Sequence, residues 1–291
     1  MSTTPAPVAE QPTTPLDPDA AISVRGLVKR YGDRNAVDGL DLDIRRGEIF
    51  ALLGPNGAGK TTTVEVLEGY RSRDGGQVAV LGVDPAAGGR RWRSDIGIVL
   101  QAGAGDSQLT CLELLTAQAS YYPAPRDPHE VLELVGLTEK ARARGRSLSG
   151  GQRRRLDVAL GIVGGPALLF LDEPTTGFDP EARRQFWSLI RSLRELGTTM
   201  LLTTHYLDEA EELADRVGVI TAGRLVEVAV PAELGAGAPR PRWSAGPRTA
   251  AAAPRPPRPP PRWWPSSAPG SPARCPTWPS PARPWKTCTC R

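Results

Sequence analysis

Residues 22–31 and 40–44 alternate apolar with polar side chains, as strands with one buried face do. Further along, the apolar positions run together in short stretches at Ile49-Phe50-Ala51-Leu52-Leu53, 96–100, 167–171 and 199–203. Helix-compatible spacing follows at 61–68, and long amphipathic segments occupy 181–196 and 207–214. Strand-like runs alternating with amphipathic helices predict an α/β fold, a mainly parallel sheet covered by helices, with ligands outside the carboxyl ends of the strands. Between Gln101 and Ser149 the pattern changes to helical pieces at 109–121 and 129–135, broken by Pro123, Pro125 and Pro128. That stretch reads as a small helical lobe.

Between the run that ends at Leu53 and the helix expected from Thr61 stands Gly54-Pro55-Asn56-Gly57-Ala58-Gly59-Lys60-Thr61, with Thr62 next. Glycines at this spacing let backbone N–H groups turn inward on phosphate oxygens at a helix N-terminus, so a nucleotide is bound here. Lys60 can place its charge between β- and γ-phosphates, and Thr61 can give its hydroxyl to the magnesium that bridges them. Asp172 closes an apolar strand and suits water-mediated magnesium binding, while the adjacent Glu173 can take a proton from an attacking water. Alone, Asp172-Glu173-Pro174 could also be an acidic strand-to-loop cap. Leu148-Ser149-Gly150-Gly151-Gln152 opens a further helix whose N–H groups make a second anion site, although by itself Ser149 would read as an ordinary N-cap.

In this order the motifs resemble the ATP-binding subunit of ABC transporters, over about residues 22–234. The resemblance implies a P-loop NTPase core with an N-terminal antiparallel β portion and a helical signature subdomain at about 102–160. It also implies roles. Leu148 to Gln152 would close on the γ-phosphate of ATP held by a second copy, in a head-to-tail homodimer with two ATPs and Mg2+ between the subunits. Asp179 would communicate across that interface, and Gln101 would reach the γ-phosphate and metal. His205 would contact the γ-phosphate and hold Glu173 and the water in place. Tyr31, on a loop after the first strand, would stack on adenine, or else pack on the body as a strand-end tyrosine. Phe178 stands where the family most often has Leu. The stretches 69–76 and 80–85 and the segment from Thr203 to Ala210 most resemble multidrug or antibiotic export subunits, including the daunorubicin-resistance type. The expected partner is a separate membrane permease, with no nucleic acid, and the expected place is the inner face of the cell membrane. Soluble relatives acting on ribosomes or DNA usually carry tandem cassettes, a long coiled-coil insertion or zinc cysteines, and this chain has none.

Composition changes this picture only at the ends. No stretch approaches the roughly 20 apolar residues of a membrane span, and the Pro- and Thr-rich leader 1–21 lacks an apolar signal core. Of four cysteines, Cys275, Cys288 and Cys290 crowd the last 17 residues, with no disulfide framework or zinc spacing. The net charge of +4 conceals an asymmetry, because residues 236–291 carry 10 Lys or Arg and no acid, leaving 26 basic and 32 acidic side chains in 1–235. Of those last 56 residues, 55 are types encoded with C or G at the middle codon position; the exception is Lys286. Losing one base from a G+C-rich gene moves its third positions into the middle, so a frameshift near Gly235 accounts for the tail. The competing reading is a Pro/Arg-rich arm binding an anionic or polyproline-recognising partner, and the coding DNA around codon 235 decides between them. Either tail is expected to be disordered. The ATPase domain is expected at 22–235.

Overall fold

The computed structural model describes residues 15–99 and 108–235. Residues 1–14 of the leader, Gln101 and the tail 236–291 lie outside them. Strands β1 (Ala20–Tyr31), β2 (Arg34–Arg45) and β3 (Ile49–Leu53) lead into α1 (Lys60–Leu67), β4 (Gly75–Val80), α2 (Arg90–Ser94) and β5 (Ile96–Val99). Helices α3 (Cys111–Ala119), α4 (Pro128–Leu134) and α5 (Gly150–Ile162) make up the helical stretch. The chain returns through β6 (Leu168–Asp172), α6 (Pro180–Glu195), β7 (Thr199–Thr204), α7 (Leu207–Leu213), β8 (Arg216–Thr221) and β9 (Arg224–Ala229).

The α/β expectation holds. A six-stranded sheet runs β5-β6-β7-β3-β8-β9, parallel except for β9, and a three-stranded antiparallel sheet runs β2-β1-β4. Period-two alternation sorts the central strands between two cores. Phe50, Leu52, Leu168, Phe170 and Leu201 face the antiparallel sheet and α1, whereas Ile49, Ala51, Leu169, Leu171, Met200 and Leu202 face α3 to α6. Phe50 and Phe170 are fully buried, each stabilising by about 1.5–3 kcal/mol relative to exposure. Both faces are covered, which is why these strands read as unbroken apolar runs.

Register decides where the chemistry falls. Leu53 pairs with Thr204 and Asp172 with Thr203 in parallel, so the residues after β3, β6 and β7 emerge side by side. In the helical stretch, α3 begins two residues later than its periodicity suggests because Thr110 forms a capping box with Glu113. Tyr31 ends β1 instead of following it, paired across to Arg34.

Glu68, the C-terminal cap of α1, is 8% exposed. Burial first, then the charges of Asp172 and Glu65, push its carboxyl up to about 8. Because the folded value lies above the usual glutamate value of 4.5, the folded state holds a proton that the unfolded chain releases. The associated stability is complete below about pH 4.5 and is lost as pH rises through about 8. Glu68→Gln is therefore expected to remove on the order of 2–3 kcal/mol of stability loss between pH 5 and 8. Denaturant unfolding of parent and variant at both pH values checks this, and parallel pH dependence of the two would refute it.

Candidate functional site

Gly54 to Thr61 wraps the amino end of α1. Gly59 caps that helix in the left-handed region at φ 106°, with no side-chain cap bond, so the first-turn N–H groups stay free for an anion. The loop's glycines answer different constraints. A Cβ on Gly54 would sit 2.4 Å from the Ile220 carbonyl, and one on Gly59 would sit 2.3 Å from the Ala36 carbonyl, while Gly57, at φ 78°, meets nothing within 4 Å. Two glycines thus fit the loop against β8 and β2, and the third serves its open apex. The β8–β9 turn, through Ala222 and Gly223 at φ 50° and 80°, braces the same loop. Gly223 N–H donates to the Ala58 carbonyl at 2.9 Å, and Asp38 N–H donates to the Gly223 carbonyl at 2.9 Å.

A cleft of about 530 Å3 opens over the loop, lined by Tyr31, Arg34, Ala36, Asn56, Gly57, Gly59, Lys60, Thr61, Thr62, Asp172 and Glu173. Tyr31 is half exposed at its rim, with the Arg71 guanidinium and the Lys29 ammonium 5.4 and 5.7 Å from the ring centre. Lys60 is 4% exposed. Its ammonium donates to the carbonyls of Gly54 at 2.8 Å and Pro55 at 3.2 Å and lies 3.5 Å from Glu173 Oε1.

Thr61 Oγ1 stands 3.3 Å from Asp172 Oδ2. A hydroxyl beside a carboxylate is a hard-oxygen pair, and the described residues hold no group of three or more His, Cys, Asp or Glu placed for a metal. This donor set fits Mg2+, which takes one or two protein oxygens and completes its shell with water and phosphate. Thr203 ties the two acids together, because its hydroxyl donates to Asp172 Oδ1 and accepts the Glu173 N–H at 3.0 Å.

Glu173 occupies the left-handed region at φ 43°, a conformation that costs a non-glycine residue about 1–3 kcal/mol and persists only where the surroundings hold it. Its carboxylate accepts from Thr176 Oγ1 at 3.3 Å and lies 3.4 Å from His205 Nδ1. That nitrogen is buried with no hydrogen bond among the described residues, and the ring packs on Tyr206 with centroids 4.0 Å apart. The structure therefore places Glu173 beside both Lys60 and His205.

The signature residues lie elsewhere. Ser149 caps α5 by accepting the Gln152 N–H at 3.3 Å, and Gln152 Oε1 accepts the Ser149 N–H at 3.0 Å. Leu148 is buried beneath them, whereas Ser149 and Gly150 are exposed, and no residue from Leu148 to Gln152 lines the cleft. Asp179 caps α6, accepting N–H groups of Glu181 and Ala182 at 2.9 Å each. Phe178 packs edge to face on Phe186, ring centres 5.8 Å apart. The expected role of Gln101 lies outside the described residues. Thr203 and the Ala222-Gly223 turn carried no signal in the sequence, since a buried strand threonine and an Ala-Gly pair are common.

The ABC transporter family profile matches residues 37–176. The chain is 44% identical over 232 residues to the Nod factor export ATP-binding protein I of Ralstonia nicotianae, covering 77% of this chain and 72% of that protein. It is 46% identical over 222 residues to the daunorubicin resistance ATP-binding protein DrrA3 of Streptomyces coeruleorubidus, covering 74% and 70%. Among solved structures, an ATP-binding cassette of an ABC transporter in its ADP conformation superposes with a TM-score of 0.65 at 22% identity, covering 72% of this chain and 91% of that one. An ATP-binding subunit of an ABC transporter gives 0.65 at 25%, covering 72% and 90%.

Proposed function

The chain belongs to the ABC transporter family as an ATPase subunit of the exporter type, and we propose that it closes with a second copy on MgATP to drive a separate membrane permease. The exported molecule is a drug, antibiotic or lipid-like small molecule, a class supported by relatives named for Nod factor export and daunorubicin resistance. The observation that carries this reading is the placement of Glu173 within 3.4–3.5 Å of His205 and Lys60, over a free helix N-terminus. Peripheral attachment at the inner membrane face follows from the permease. Among the described residues no helix is long and apolar enough to cross a membrane.

Lys60 neutralises charge on the β- and γ-phosphates once they displace its ammonium from the Gly54 and Pro55 carbonyls. Thr61 and, through water, Asp172 would hold a magnesium ion, which supplies further neutralisation across the same phosphates when bound. Glu173 accepts the proton of the attacking water, and His205 holds that carboxylate and the γ-phosphate in line. Gln101, which lies outside the described residues, would by the same resemblance reach the γ-phosphate and the metal. The second anion site, from Ser149 to Gly151, serves the nucleotide of the partner copy, and Asp179 lies at the same interface. Residues 22–235 form the ATPase domain, with α3 to α5 as its helical part. The matched relatives cover about three-quarters of the chain, and residues 236–291 are read, from their composition, as a shifted reading frame outside the domain.

Purified chain is expected to hydrolyse MgATP, and Lys60→Ala is expected to weaken equilibrium nucleotide binding. A lost charge-assisted contact of about 1.5–3 kcal/mol corresponds to roughly a 10- to 100-fold weakening. Unchanged affinity together with unchanged turnover in the variant would reject a working phosphate loop.

A further inference from the structure

Arg154 stands two residues beyond Gln152 on α5, yet its side chain turns inward and the residue is 6% exposed. Its Nε donates to the Pro174 carbonyl at 3.0 Å, and its Nη2 donates to the Asp172 carbonyl at 3.0 Å. Those two carbonyls belong to the residues on either side of Glu173. The rigid guanidinium fork therefore spans the one residue of this turn whose φ, at 43°, is unfavourable for a side chain. From the far side, Thr203 fixes the Glu173 N–H.

Burying a guanidinium costs several kcal/mol unless charges and acceptors surround it. Burial lowers the tendency of Arg154 to hold its proton, and the carboxylates of Asp157, Asp172 and Glu209 oppose that effect. An apolar side chain would fill the same space without this desolvation cost, but it could donate to neither carbonyl. The residue is better explained by geometry than by packing.

We propose that Arg154 is a positioning residue for hydrolysis, gripping the main chain on both sides of Glu173 so that its carboxylate is held beside Lys60 and His205. The same grip ties this turn to the first turns of α5, so the helix that carries the second anion site and the turn that carries the base move as one body. The proposal rests on the reading of Glu173 as the general base. Arg154 does not line the cleft over the phosphate loop, so its loss should lower kcat and spare binding. A misplacement of about 1 Å at a reacting group can cost on the order of 10² in rate.

The test uses the full chain, with Arg154→Met and Arg154→Lys made in the parent and in the Glu173→Gln background. Steady-state and single-turnover ATP hydrolysis are measured beside equilibrium MgATP binding and melting temperature. In the parent background, Arg154→Met is expected to lower kcat by roughly 30- to 100-fold with KM and affinity within about threefold. Arg154→Lys, which keeps a charged donor but lacks the rigid fork, is expected to recover part of that loss. In the Glu173→Gln background the same substitutions should cost less than about threefold, because a positioning residue has little effect once the group it positions is gone. Equal losses in both backgrounds, or a fall in affinity matching the fall in kcat, would assign Arg154 a structural role and overturn the proposal. If Arg154→Met fails to fold, the Arg154→Lys cycle decides by the same criterion. Parental kcat in both variants would overturn the proposal while leaving the ATPase reading intact. A parent chain without ATPase activity, or Glu173→Gln with parental turnover, would instead remove the reading on which it rests, and the proposal with it.

Discussion

Glu173→Gln is expected to bind MgATP with near-parental affinity, to accumulate as a dimer with nucleotide between its copies, and to lose at least about 10² in turnover. The amide keeps the volume of the carboxylate and can still accept from Thr176 Oγ1. The backbone N–H that donates to Thr203 Oγ1 at 3.0 Å is untouched. What disappears is a group able to take a proton from water, and general-base help is typically worth 10² to 10⁴ in rate. The substitution also removes the negative charge 3.5 Å from Lys60, leaving the ammonium freer to meet phosphate, so binding has no reason to weaken. Turnover by rapid-mix phosphate release and dimerisation by light scattering give the two readouts. Turnover within a factor of about three of the parent would remove Glu173 from the base role.

The strands that carry this site were the most legible part of the chain. Residues 49–53 form β3 as read, the run at 167–171 is shifted by one residue from β6, and the run at 199–203 stops one residue short of β7. They were readable because burial on both faces leaves little but apolar side chains. Strand β4 was hidden by its opening Gly75-Gly76, and β9 by half exposure at the sheet edge, where Val226 and Val228 face solvent. The turn joining β8 to β9 has both central residues at positive φ, a hairpin geometry usually signalled by Asn-Gly and here filled by Ala222-Gly223.

The candidate site divides along the same physical line. Residues whose chemistry is carried by the side chain in a fixed local pattern, such as Lys60, Asp172, Glu173 and Ser149, could be named from the sequence. Arg154 and Thr203 act on main-chain groups that lie 18 to 20 and 30 residues away in the chain. No local spacing encodes such a contact. It arises only when parallel register sets Asp172 against Thr203 and α5 packs over the turn that follows.

Ser149→Arg is expected to leave nucleotide binding by the separated monomer nearly unchanged and to abolish hydrolysis. No residue from Leu148 to Gln152 lines the cleft over the phosphate loop, so the substitution has no direct route to the chain's own nucleotide. Ser149 and Gly150 are exposed at the start of α5, and a long arginine there would occupy the space in front of the helix N–H groups, where the proposed partner's γ-phosphate would approach. Losing the cap on Gln152 costs about 1 kcal/mol, small beside the 5–15 kcal/mol that typically stabilises a domain, so folding should survive. Mixing this variant with Lys60→Ala distinguishes action in trans from local damage. The mixed pair combines the intact phosphate loop of one chain with the intact Ser149 of the other, and hydrolysis should exceed that of either variant alone at a nucleotide concentration too low to fill the Lys60→Ala loop. Parental turnover by monomeric Ser149→Arg would eliminate the two-copy site, since one chain would then supply everything that its phosphate chain needs.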